Sequence, residues 1–114
     1  MEKMSLLQMQ MKFMRMLPRL IDRAHELGYE CSEGDAFRDP RTNGAVGVQM
    51  GYGHKNSNHK NKLAFDLNLY KDSKYLEGNE AHRVLGEWWE SQGGTWGGRF
   101  SDGNHYSLEF NGMK

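Results

Sequence analysis

The chain has 114 residues, fifteen Lys+Arg against fifteen Asp+Glu, 37% hydrophobic and 26% charged residues. That describes one small domain spanning 1–114 with room for a single core. It is too apolar for a disordered chain and too evenly charged for a strongly cationic nucleic-acid binder. A lone cysteine, Cys31, excludes an internal disulfide and a Cys-rich zinc finger, and no apolar run approaches the ~20 residues of a membrane span.

From Leu6 the apolar positions run Leu6, Met9, Phe13, Leu17, Leu20, Ala24 and Leu27, in steps of three or four. This spacing predicts an amphipathic helix with Ser5 as N-cap and Gly28 as C-cap. Pro18 falls inside it and predicts a kink or two abutting helices. The opposite face carries Lys12, Arg15, Arg19, Asp22, Arg23 and Glu26, and six of the eight methionines lie in the first sixteen residues. A Met-rich basic helix can touch a membrane surface, but a domain this small needs the apolar stripe for its core. The continuous apolar segment of a signal peptide is missing, because Gln8, Gln10, Lys12 and Arg15 interrupt it.

Residues 29–38 read as a strand running into a turn at Asp39-Pro40. Residues 41–61 are rich in Gly, Asn and His, and the mildly basic 38–62 stretch reads as a solvated loop or as a rim that attracts an anionic ligand. Residues 63–70 alternate: Leu63, Phe65, Leu67 and Leu69 face one way, Ala64, Asp66, Asn68 and Tyr70 the other. Asn79 is the expected cap of a second helix over 80–92, with Ala81, Val84, Leu85 and Trp88 on its buried stripe and Gly93-Gly94 ending it. Residues 104–110 alternate again, with His105, Ser107 and Glu109 opposite Tyr106, Leu108 and Phe110. The order helix, strand, strand, helix, strand predicts an α+β domain with a small, mainly antiparallel sheet. His25 and His82 are expected to face solvent. At least two of the three tryptophans belong in the core, and Cys31 reads as a small buried residue.

Asp66 is the residue that does not fit a strand, since a carboxylate there costs free energy unless it finds a partner. His59 precedes that strand closely enough to fold back over it. His105 lies on the polar face of the last strand, with Asp102 three residues earlier. Two imidazoles and one carboxylate with an open fourth position make a catalytic zinc site, and a second carboxylate beside it makes a general base. The surrounding sequence is distinctive: Ser57-Asn58-His59, Ala64-Phe65-Asp66-Leu67, then Trp96-Gly97-Gly98-Arg99-Phe100 leading into Asp102-Gly103-Asn104-His105.

Over roughly residues 35–110 these blocks resemble the zinc D-Ala-D-Ala carboxypeptidase and L-alanyl-D-glutamate endopeptidase family, in particular its short bacteriophage endolysins. Ser57, His59, Ala64 and Asp66 match the first family block, and Asp102 and His105 the second. Trp-Gly-Gly-Arg-Phe is similar to the endopeptidase branch, and Arg38 stands where the family has its substrate-binding arginine. One position departs: the family glycine three residues after the first histidine is Lys62 here.

The resemblance implies the compact fold of hedgehog-type and D,D-peptidase zinc proteins, with the site on one face of the sheet. It implies Zn2+ on His59, Asp66 and His105, Asp102 as general base on the attacking water, and Arg38 and Ser57 as contacts to a peptidoglycan stem peptide. Cleavage of the L-Ala–D-Glu bond by a monomer is expected, without nucleic acid or stable membrane insertion. No separate wall-binding domain is expected, and release from the host cytoplasm would use a partner's holin-type pore. A zinc D,D-carboxypeptidase or D,D-endopeptidase, a non-catalytic zinc-stabilised wall-binding module, and a metal-dependent nuclease are the competing readings. His54 is an ordinary loop residue, a substrate contact or a competing metal ligand.

Overall fold

The computed structural model describes residues 4–34 and 58–114. Arg38, His54 and Ser57 lie outside those residues. The first helix, α1 (Leu6–Glu26), opens on Ser5, whose hydroxyl accepts from the Gln8 backbone N–H while the Gln8 side chain accepts from the Ser5 N–H. This reciprocal capping box satisfies two of the helix's orphan donors. The helix runs through Pro18 as one element rather than as two abutting helices. Pro18 removes the hydrogen bond to the Met14 carbonyl, but both residues are exposed, so water can solvate the freed oxygen. Leu27 is the C-cap rather than Gly28, which follows at φ 94° in the left-handed conformation that glycine adopts without strain.

Strand β1 (Glu30–Glu33) is followed, after the undescribed stretch, by β2 (Ala64–Lys71) and β3 (Lys74–Tyr75). The β2–β3 hairpin closes on Asp72 and Ser73, both with positive φ, as a two-residue turn matching the strand twist requires. Then come α2 (Asn79–Ser91), β4 (Thr95–Trp96), a 3-10 turn (Gly97–Phe100) and β5 (His105–Ser107). All pairings are antiparallel, in the order β1-β2-β5-β4, with β3 also on β2. This is the α+β architecture with a small antiparallel sheet that the sequence pattern predicts.

Alternation along β2 divides the sheet into two faces. Leu67 and Leu69 point into a core shared with Phe13, Met16, Leu20 and Ala24 of α1, Leu85 and Trp89 of α2, and Tyr106 and Leu108. Trp89 anchors it: its ring meets Phe13 and Tyr106 edge-on, and its indole N–H donates to the Ser107 carbonyl at 3.0 Å. Asp66 and Asn68 point to the other face. The first helix therefore does serve the core, although Met11 and Met14 remain exposed. Among the described residues no helix is long and apolar enough to cross a membrane.

The second helix departs from expectation in two ways. Its N-cap is Gly78, at φ 87° and with no side-chain cap; Asn79 is already helical. Its buried stripe is His82, Leu85, Gly86 and Trp89, about one position round from the expected Ala81, Val84, Leu85 and Trp88, and Val84 is 51% exposed. The cause is Trp96. Its ring lies against Gly86, where any Cβ would collide with it, so the helix turns its one bare backbone patch inward. Trp89 and Trp96 are core; Trp88 is half-buried.

His82 is likewise buried, not solvent-facing, and shares a 2.7 Å hydrogen bond with the Tyr106 hydroxyl. Burial lowers its pKa from 6.5 to about 4. The unfolded chain therefore binds a proton that the folded chain refuses. Stability from this group is complete above about pH 6.5 and declines as pH falls toward 4, by on the order of 2–3 kcal/mol. In urea titrations at pH 7 and pH 4.5, His82→Gln should show a smaller acid loss than the parent. An unchanged loss would remove His82 as its cause.

Candidate functional site

Three backbone devices bring the site together. The first is strand register: Asp66 and His105 are directly opposed partners in the β2–β5 pair, which puts both side chains on the face away from the helices. The second is the turn before β2. Asn58, fully buried, donates through Nδ2 to the carbonyls of Leu108 and Met113 at 2.6 and 2.9 Å and accepts from Asn61 Nδ2. The turn closes through Lys62 N–H to the His59 carbonyl and Leu63 N–H to the Asn58 carbonyl, both at 3.1 Å. Asn58 thus fixes where His59 stands. Sequence reasoning missed this positioning role; the only signal was its place inside the Ser57-Asn58-His59 block.

Lys62 stands where the family that the sequence resembles has a glycine. It adopts φ 59°, the left-handed conformation, so the turn is kept and the lysine carries the strain. That conformation costs an L-residue about 1–2 kcal/mol, partly offset by the ~0.5–1 kcal/mol that glycine loses in chain entropy. Lys62→Gly should therefore raise the melting temperature by a few degrees. A lower melting temperature would contradict this account of the turn.

The third device is the Trp-Gly-Gly-Arg-Phe segment. Trp96 is held between Gly86 and Gly98, and its indole N–H donates to the Gly103 carbonyl at 2.7 Å. Arg99 stacks over Trp96 at 5.4 Å and grips Glu90 through two nitrogens at 2.7 and 3.0 Å. Gly97 lies against the Asp102 carbonyl and His105 Cβ, and its own carbonyl accepts from the Asp102 N–H at 2.8 Å. Phe100 packs edge-on to the His105 ring. The motif is the base plate under Asp102 and His105.

On this scaffold His59 Nε2 lies 3.2 Å from Asp66 Oδ1, and His105 Nδ1 lies 3.5 Å from the same oxygen. The two imidazole rings stand at 72° with centroids 5.2 Å apart. One ligand atom from each of the three residues lies within 4.8 Å of the other two. Zinc bonds of about 2.0–2.1 Å at a tetrahedral angle would space their ligand atoms about 3.4 Å apart. The observed 3.2 and 3.5 Å fit that spacing, and two nitrogens with one carboxylate oxygen leave a fourth position for solvent or substrate. His59 and Asp66 are partly exposed and His105 is buried, so the cluster is reachable from one side.

Asp102 stands beside the cluster. Its Oδ2 is 3.9 Å from His105 Nδ1, and its side chain is about half exposed. Burial raises its pKa, His105 draws it down, Asp66 raises it and His59 lowers it, with a net upward shift. A carboxyl held above its ordinary range beside a metal-type cluster is well placed to take and return a proton. Asp102 also lines a cleft of about 200 Å³ with Tyr75, Asn79, His82, Ser101 and Asn104. Cys31 is half-buried on β1, away from the cluster, and burial raises its pKa. His25 is exposed.

Among the sequence-predicted residues, the structure thus unites His59, Asp66, Asp102 and His105. A family model described as D-alanyl-D-alanine carboxypeptidase matches residues 51–108, which contain all four. No curated protein matches the chain.

Proposed function

Because the chain belongs to the D-alanyl-D-alanine carboxypeptidase family, we propose that it is a zinc-dependent hydrolase of peptidoglycan stem peptides. On this reading it is of the short bacteriophage endolysin type and cuts the L-Ala–D-Glu bond. The observation that carries the reading is the convergence of His59 Nε2 and His105 Nδ1 on one Asp66 oxygen, with Asp102 alongside. A purely structural metal site would have no use for that second, half-exposed carboxylate.

His59, Asp66 and His105 would hold the metal. Bound there, zinc would acidify a water and polarise the scissile carbonyl. Asp102 takes the proton from the attacking water and delivers it to the leaving amine, so one carboxyl serves both halves of the hydrolysis. The cleft lined by Tyr75, Asn79, Asp102 and Asn104 receives one side of the substrate peptide next to that carboxyl. Arg38 would grip a stem-peptide carboxylate through its bidentate fork, and Ser57 would hydrogen-bond the peptide; both assignments rest on the family pattern in the sequence. Release to the wall through a holin-type pore belongs to the same reading.

A D,D-carboxypeptidase activity is the second reading, favoured by the description of the matching family. Mass spectrometry of peptidoglycan digested with the zinc-loaded protein separates the two. Peptides beginning at D-Glu, with L-Ala left on the glycan, are expected. Loss of terminal D-Ala alone would transfer the assignment to carboxypeptidase. Unchanged muropeptides with zinc bound would overturn both on that wall type.

A further inference from the structure

A second concave site lies between the two helices, on the face of the sheet opposite the metal-type cluster. It is a cavity of about 200 Å³ whose lining includes Lys12, Arg15 and Arg19 of α1, and Met16, Trp88 and Trp89. It shares no residue with the catalytic constellation. The three cations stand at i, i+3 and i+7, so they form a row along one side of the helix spanning about 10 Å.

Two observations set this row apart from a solvated helix face. The other described arginines are all paired: Arg23 with Glu26, Arg83 with Glu80 and Glu87, Arg99 with Glu90. Arg15 and Arg19, and Lys12 with them, have no carboxylate partner among the described residues, in a chain whose total charge is balanced. The acids on α1 are Asp22 and Glu26, and neither pairs with the row. The second observation is Trp88. Trp89 and Trp96 spend their indole N–H groups on the carbonyls of Ser107 and Gly103. The Trp88 indole has no hydrogen-bond partner among the described residues and remains half-buried at the cavity wall.

We propose that this cavity is an accessory binding site for an extended anionic glycan–peptide polymer, the peptidoglycan wall itself, holding it while the opposite face cuts. A row of cations about 10 Å long suits several carboxylates along a chain better than one compact anion. An aromatic face whose N–H has no partner among the described residues suits a sugar ring, which stacks through its C–H face and accepts through its hydroxyls. The neutral whole-chain charge disfavours a nucleic-acid partner, because phosphate binding of duplexes depends on a broad basic surface. This inference rests on the peptidoglycan reading above and gives the domain a wall contact of its own.

The test measures co-sedimentation of the zinc-loaded protein with insoluble peptidoglycan sacculi, separately from hydrolysis. The proteins are the parent, Arg15→Glu/Arg19→Glu and Trp88→Ala, with circular dichroism confirming the fold and Arg15→Ala/Arg19→Ala in reserve. The double charge reversal should weaken sacculus binding by about tenfold or more, with a weaker effect in high salt. Trp88→Ala should weaken it by a smaller factor. Turnover of a short soluble disaccharide-tetrapeptide should stay within about twofold of the parent, as expected when only long-chain contacts are lost. Unchanged sacculus binding, or equal loss on the short fragment, would overturn the proposal. So would a loss confined to phosphatidylglycerol vesicles, which would reassign the row to an anionic lipid surface. If the parent cleaves neither substrate, the hydrolase reading fails, while the binding comparison still decides the cavity.

Discussion

Asp102→Asn should reduce peptidoglycan hydrolysis by about 10²–10⁴-fold, the usual contribution of a positioned general acid–base, while one zinc per chain remains bound. The two halves of this expectation come from different distances. The metal-type cluster is formed by His59, Asp66 and His105 and does not include Asp102. Asp102 Oδ2 stands 3.9 Å from His105 Nδ1 on a half-exposed side chain, near enough to act on the same reacting atoms. The amide is isosteric, so the Asp102 backbone hydrogen bonds to Gly97 and His105 are kept. Only the ability to hold a proton is lost. Zinc content by atomic emission and release of soluble muropeptides separate the roles. Loss of zinc together with activity would make Asp102 a ligand, and retained activity would remove it from the chemistry.

Gly97→Ala should damage the site almost as severely without touching a proposed catalytic side chain. A Cβ at position 97 would collide with the Asp102 backbone carbonyl and come within 2.6 Å of His105 Cβ. Neither neighbour is a flexible side-chain end. The Asp102 N–H bond to the Gly97 carbonyl and the His105 N–H bond to the Asp102 carbonyl tie all three residues into one rigid turn. Overpacking of this kind costs typically about 1–3 kcal/mol, and an angstrom of displacement between reacting groups costs about 10²-fold in rate. We expect a lower melting temperature, weaker zinc binding and activity reduced by about 10²-fold or more. Gly28→Ala is the matched control: a Cβ there would meet nothing within 4 Å, and the φ of 94° costs about 1–2 kcal/mol of backbone strain. It should lose stability and keep its zinc affinity. Equal activity losses in the two variants would mean that general destabilisation, and not the base plate, explains Gly97.

The contrast between these glycines shows what a linear reading can reach. Helix α1 is legible because its caps and stripe are local: Ser5 and Gln8 are three residues apart, and the apolar steps need only a helix to make sense. The His59, Asp66, Asp102 and His105 constellation is legible because strand alternation already puts Asp66 and His105 on polar faces. Their direct opposition in register comes from the fold. Hydropathy misplaces the buried face of α2 by one position, because that face is set by Gly86 beneath Trp96, a contact between residues ten apart that no period records. It misplaces His82 for the same reason, since its partner Tyr106 is 24 residues away. The short strands β3 and β4 have two residues each, too few to establish a period. The base-plate role of Trp-Gly-Gly-Arg-Phe, recognised in the sequence only as a family feature, is a matter of which Cβ atoms cannot be present.

If His59, Asp66 and His105 make one zinc site on which hydrolysis depends, zinc alone should switch the protein on. The most direct test titrates chelator-stripped protein with zinc while following the release of soluble peptide from sacculi. The expected result is no release before addition, a linear rise, and a plateau at one zinc per chain, with His105→Ala showing neither tight binding nor release. Full hydrolysis by the stripped protein, or an unaltered titration in His105→Ala, would contradict the assignment.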